Sequence, residues 1–182
     1  MGATTTNGNT GGNPPQPKAP TDAEVATLAM AQLELRKPLV HMTPEAGKIG
    51  LVGLPVWLWI DSTDPHRWSR EGISKTVTER GVTVTATAHS TYVSWSMGDG
   101  STVNCYNPGT KYDPSSSRTS SPDCGYVYIS TSGSQTSGRF TVTATVHWEA
   151  SYVGADGETH ILPNMAGETS TTARVGELQV VN

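Results

Sequence analysis

Between Val82 and Ala88 the chain alternates without a break. Val82, Val84, Ala86 and Ala88 are apolar, and Thr83, Thr85 and Thr87 lie between them. An extended backbone puts alternate residues on opposite faces, so this run predicts a half-buried antiparallel strand with its apolar side inward. Its β-branched residues lose side-chain freedom in a helix and pack well on a pleated surface. Further extended runs are expected at Tyr92–Met97, Thr102–Tyr106, Gly125–Ile129, Arg139–Val153, Glu158–Leu162, Thr169–Val175 and Glu177–Val181. Strands of this number and spacing predict an all-β, antiparallel sandwich. Gly154, Ala155, Asp156 and Gly157 fall between two of the runs and read as a hairpin turn.

At 182 residues the chain has room for one sandwich and a short appendage. Residues 1–20 combine small polar side chains with Pro and Gly, offer nothing to bury, and read as a flexible polar linker. Residues 21–48 read as an N-terminal helix and connector. Thr21 and Glu24 form a capping box, Val25, Leu28, Ala29 and Leu33 recur at helical spacing, and Pro38 stops the run, which predicts a helix over Thr21–Lys37. A helix this short is not stable alone, so its apolar stripe is expected to dock on the sandwich of residues 49–182. Trp95, Met97, Val82, Val84, Phe140 and Val142 are the expected core.

Composition narrows the partners. Only 15% of residues are charged and the net charge is −4, so no basic surface is expected to neutralise phosphates and nucleic acid is a poor candidate. The phosphate-cradling pattern Gly-x-x-x-x-Gly-Lys-Ser/Thr is missing, which argues against a nucleotide. The longest apolar run, Ile49–Ile60, falls short of the roughly 18 residues that span a bilayer and contains Gly50, Gly53 and Pro55, so no membrane span is expected. Met1–Pro20 lacks the basic end and apolar centre of a secretory signal, so an exported form would be a mature chain or a fragment.

The residues that could carry chemistry are scattered. His41, His66, His89, His147 and His160 occur in different segments, without a nucleophile elbow or a metal-binding spacing. His89 and His147 read as surface or edge residues. Asp61, Asp64, Asp113, Asp123 and Asp156 mostly adjoin Pro, Ser or Gly and read as turn formers. No catalytic residue, metal or cofactor is therefore expected. Cys105 and Cys124, the only cysteines, bracket a Ser-, Pro- and Gly-rich loop and read as a disulfide, with two buried thiols as the alternative. Trp57 and Trp59 share one face of a strand and are expected in the core, whereas Trp68 is the candidate exposed binding aromatic.

The most specific string is Ser94-Trp-Ser-Met-Gly-Asp-Gly-Ser-Thr102, followed by Cys124-Gly-Tyr-Val-Tyr128 and by Gly138-Arg-Phe-Thr-Val-Thr-Ala-Thr-Val146. Trp95 and Met97 share a face, Gly98 and Gly100 permit a tight turn, and Asp99 is placed to bond nearby amides or, alternatively, a cation. This pattern resembles the PKD domain, with Trp95, Met97, Gly98, Asp99, Gly100, Tyr128, Gly138, Phe140, Val142 and Ala144 at matching positions. Over Pro38–Asn182 the chain is similar to a group of small exported actinobacterial proteins of unsettled function that often carry the label ATP/GTP-binding protein.

The resemblance implies an immunoglobulin-type sandwich, secreted or at the cell surface. Such a module would present its loops to a protein or a cell-wall glycan and catalyse nothing. An accessory domain of a secreted hydrolase and a component of an envelope secretion or adhesion assembly are the alternatives.

Overall fold

The computed structural model describes residues 17–178. Helix α1 (Asp22–Ala31) is followed by strands β1 (Val40–Thr43), β2 (Ile49–Leu51), β3 (Pro55–Ile60), β4 (Ile73–Glu79), β5 (Val82–Ser96), β6 (Thr102–Cys105), β7 (Gly125–Val127), β8 (Phe140–Val153) and β9 (Thr159–Gly176). Two sheets result. The small one has the order β1-β3-β7, and the large one β2-β9-β8-β5-β4, with β6 also on β5. Among the described residues the chain is thus mostly β with one short α-helix, and no helix there is long and apolar enough to cross a membrane.

Two of the expected breaks are bulges. Tyr92–Met97 continues the Val82–Ala88 run as β5, because Thr91 is inserted opposite β8 between the Ser90–Trp148 and Tyr92–His147 pairs. The insertion moves the inward set from even to odd positions, so Val84, Ala86 and Ala88 share a face with Val93, Trp95 and Met97. In β9, Pro163 and Asn164 fill a second irregularity, where a proline removes no regular ladder bond. The turn at Gly154–Gly157 forms where expected, closed by Gly157 N–H to the Gly154 carbonyl at 3.2 Å. The run expected at Glu177–Val181 lies largely outside the described residues, as does the linker over 1–16.

The antiparallel expectation needs one correction, at β2. Ile49–Leu51 runs parallel to Arg174–Gly176. After Thr43 the chain leaves the small sheet and re-enters beside the end of β9 travelling in the same direction, so only a parallel ladder can form.

Met42, Val56, Leu58 and Ile60 from the small sheet join Val93, Trp95, Met97, Phe140, Val142, Val146 and Trp148 from the large one in a single buried cluster. The far end of the same large-sheet face is covered by α1, through a separate cluster of Val25, Ala26 and Val84 with Val77, Val82 and Tyr152 around it. Val82 is only half-buried there.

The capping box forms as expected, with Glu24 N–H on the Thr21 hydroxyl and Thr21 N–H on the Glu24 carboxylate. The helix stops at Ala31, short of Lys37. Leu33 belongs to the main cluster beneath the small sheet, and the chain turns through Glu34 at φ 52° to deliver it there. The stripe is also corrected. Val25, Ala29 and Leu33 are buried as expected, but Leu28 is 47% exposed and Ala26 is buried in its place.

Candidate functional site: a cleft at the seam of the two sheets

Four residues of the two strings Ser94–Thr102 and Cys124–Tyr128 and of the Gly138–Val146 run converge at one end of the large sheet. Trp95, Met97, Tyr128 and Phe140 are all buried. The Tyr128 hydroxyl donates to the Met97 carbonyl at 2.9 Å, its ring stacks on Phe140 at 4.9 Å, and burial pushes the hydroxyl far above the usual tyrosine range. Gly98 is obligatory. Its φ is +82°, and a Cβ would stand 2.6 Å from the Thr141 carbonyl oxygen.

Asp99 accepts from Ser101 N–H at 3.0 Å and from the Tyr126 hydroxyl at 2.7 Å. Partial burial opposes its charge, but the Tyr126 hydroxyl and the Ser101 amide outweigh it and hold the carboxyl below its ordinary value. One carboxylate oxygen is therefore engaged within the turn and the other by Tyr126 on β7. The other turn-forming carboxylates behave alike, since Asp61, Asp64, Asp113 and Asp156 each accept the amide two residues on.

Cys105 at the end of β6 and Cys124 just before β7 form a disulfide, with Cα atoms 5.6 Å apart. It joins the large sheet to the small one and closes a loop that lies on the outward face of β3. The loop is seated by Ile60 N–H on the Pro108 carbonyl at 2.8 Å and by Leu58 N–H on the Cys124 carbonyl at 3.0 Å. Gly109 fits against the β3 backbone, where a Cβ would come within 2.2 Å of the Leu58 oxygen.

Trp57 is buried as expected, on the loop side of β3, whereas Trp59 is only half-buried. Trp57 is buried against Tyr112, edge to face at 5.3 Å, and half-buried Trp59 stacks on His41 at 5.5 Å. Their strand neighbours Val56, Leu58 and Ile60 take the inner face. Trp68 is corrected outright. It is 7% exposed and belongs to the main core. Asp64 gathers Arg36, Arg67 and the His66 amide, and Ser69 exchanges bonds with Ser90 on β5, so the 61–69 segment is drawn down and carries Trp68 inward.

On the outer face of the large sheet, β5–β8 pairing brings Ser94 Oγ within 2.8 Å of His147 Nε2, with Tyr92 stacked on the imidazole at 4.1 Å. His147 is thus half-buried in a central strand, away from any sheet edge. Burial pushes it below its ordinary value and keeps the ring neutral. A nucleophilic serine also needs amides free to hold an oxyanion. Ser94 is paired on both sides, with Asn104 and with Thr145, so the amides around it are committed to ladders. The pair serves as a cross-strand lock.

The concavity that stands open is elsewhere. Where β1 ends at Thr43, opposite Trp57, the chain passes through the cis Thr43–Pro44 bond and crosses to the large sheet, which leaves the start of β3 without a neighbour on that side. The gap is a cleft of about 730 Å³. Met42, Leu51, Val56 and Val175 give it an aliphatic floor, Trp57 and Tyr112 one wall, and Ile49 and Leu54, 52% and 54% exposed, its rim. Lys48, Arg118 and Arg174 line it with Glu45 as the only carboxylate. None of the three cations has a carboxylate within salt-bridge distance among the described residues.

A second hollow of about 520 Å³ lies across β2, shares Ile49, Leu51, Arg174 and Val175 with the first, and adds Arg139 and Glu177. Sequence reasoning missed these lining residues. No local spacing links Lys48, Tyr112, Arg118 and Arg174, which meet only because β1 changes sheet and the disulfide loop folds back.

No protein-family model matches the chain, and no curated protein or solved structure matches it at a significant level.

Proposed function

We propose that this chain is a non-catalytic, exported binding module, built as a PKD-like, immunoglobulin-type β-sandwich and using the seam cleft as its ligand site. The cleft is the observation that carries the reading. It combines a concave aliphatic floor, exposed apolar rim residues and cations that have no salt-bridge partner among the described residues, the combination from which ligand sites are made. The disulfide between the sheets supports export, because such bonds persist outside reducing compartments. The packing of Trp95, Met97, Tyr128 and Phe140 around the Gly98-Asp99-Gly100 turn supports the PKD-like reading. The ligand falls in the protein or cell-wall glycan class, and no nucleotide, nucleic acid or cofactor enters the function.

The test offers the purified chain and its Leu54→Asp variant to a cell-surface protein fraction and to a panel of cell-wall glycans. Leu54 is exposed, so the variant keeps the fold. Retention by the wild type that the variant loses is the expected result. Identical retention by both removes the cleft from the function, and turnover of any glycan removes the non-catalytic reading.

A further inference from the structure

From the lining of the cleft we infer that its ligand is an extended, acidic segment of a partner polypeptide, with apolar side chains alternating with carboxylates. This rests on the cleft being the ligand site. The first ground is charge. A chain of net charge −4 places Lys48, Arg118 and Arg174 around one concavity where, among the described residues, Glu45 is the one opposing carboxylate. Guanidinium groups without partners suit carboxylates, which they hold through paired N–H donors.

The second ground is the floor. Met42, Leu51, Val56 and Val175 are apolar, and the lining of this first hollow contains no Asn, Gln or Ser side chain to read neutral hydroxyls. Of its two threonines, Thr43 already accepts from Trp57 N–H at 3.1 Å. The directional groups of this hollow are mostly charged and so suit an anion better than neutral hydroxyls, and an apolar side chain would find a matching surface between them.

The third ground is shape. The two hollows share Ile49 and Leu51 of β2 and Arg174 and Val175 of β9, so together they form a continuous track at an edge strand that, among the described residues, pairs only with β9. A segment in strand conformation sends successive side chains to opposite sides. One set would descend to the aliphatic floor while the other met the arginines at the rim.

The experiment measures fluorescence anisotropy with a labelled peptide alternating Glu and Leu, its twin with every Glu replaced by Gln, and polygalacturonate as a polyanionic glycan. The acidic peptide is expected to bind more tightly than its neutral twin. The Arg118→Gln/Arg174→Gln double variant should weaken it at least about tenfold, as should raising the salt concentration severalfold. Leu54→Asp should abolish it.

Equal affinity for the two peptides overturns the inference, as does an acidic peptide that fails to bind. If polygalacturonate binds and Leu54→Asp abolishes that binding, the acidic-peptide ligand is wrong while the binding module stands. If the chain sediments as a dimer that Leu54→Asp disperses, the occupant is a second copy, and the inference again falls. Loss of every cleft-dependent signal, here and in the surface-fraction capture, removes the binding module as well.

Discussion

The inner face of the large sheet is covered in two different ways. At one end the small sheet presses Val56, Leu58 and Ile60 onto Trp95, Trp148, Met97 and Phe140, and a disulfide joins the layers. At the other end α1 sets Val25 and Ala26 against Val84, with the Asp22 carboxylate holding Ala155 N–H at 2.8 Å. Large rings and a covalent link specify the first end. Small residues and a few local bonds specify the second. The two ends should therefore respond differently to perturbation, and the seam cleft belongs to the first.

The largest effect is expected from Trp95→Ala, which removes a ring that is 1% exposed and touches both layers. A loss of about 3–5 kcal/mol follows from the cavity left behind. Chemical denaturation measures it. A loss under about 1 kcal/mol would mean that the two ends are equally soft. Next is the disulfide. Replacing Cys105 and Cys124 by Ser should cost roughly 3 kcal/mol in the chain-entropy treatment of a loop with sequence separation 19. Thermal unfolding with and without reductant gives the same comparison in the wild type. Midpoints that coincide would separate the disulfide from the strength of this end.

Gly98→Ala should follow, costing about 1–3 kcal/mol for backbone strain alone and more as the new methyl meets Thr141. Gly100→Ala supplies the control. Its φ is also positive, at +96°, but nothing lies within 4 Å of the added carbon. Similar losses in the two variants would show that strain alone, and not the close approach of β8, makes Gly98 obligatory.

These residues also mark what could be read in the sequence. The strand period and the Trp95–Met97 spacing are local, and each fixes a face without knowledge of the partner strand. The cysteines needed no geometry either, because two in a chain without further ligands leave few choices. Trp68 was misplaced because nothing around it alternates. It is buried by Asp64 gathering Arg36 and Arg67, a contact set by the path of the chain. The helix end was misplaced for a similar reason, since Leu33 continues the helical spacing yet is claimed by the other core cluster. The cleft was least legible of all. It lies where pairing stops, and pairing that stops leaves no periodicity to detect.

At the helix end the expected effects are smaller. Thr21→Ala removes the hydroxyl that accepts Glu24 N–H and should cost about 1 kcal/mol. Amide hydrogen exchange should place that loss in α1 and its contacts on β4 and β5, leaving protection around Trp95 unchanged. A uniform loss across β8 would make the two ends one cooperative unit.

The smallest effect is the share of the pH dependence that Asp99 contributes in the Gly98-Asp99-Gly100 turn. Asp99 has its folded pKa held below its ordinary value, so the unfolded chain takes up its proton first as the solution is acidified. Its contribution to stability is therefore present in full above the unfolded value of about 4 and is lost as the pH falls through the folded value. Asp99→Asn keeps the side-chain size and an oxygen for Ser101 N–H but removes the charge. Wild type and variant should differ most at neutral pH and converge in acid, and the Tyr126 hydroxyl, 2.7 Å from the carboxylate, should report the same titration by NMR. A stability difference that stays constant to the acid limit would mean that Asp99 holds the turn by its hydrogen-bond geometry and not by its charge.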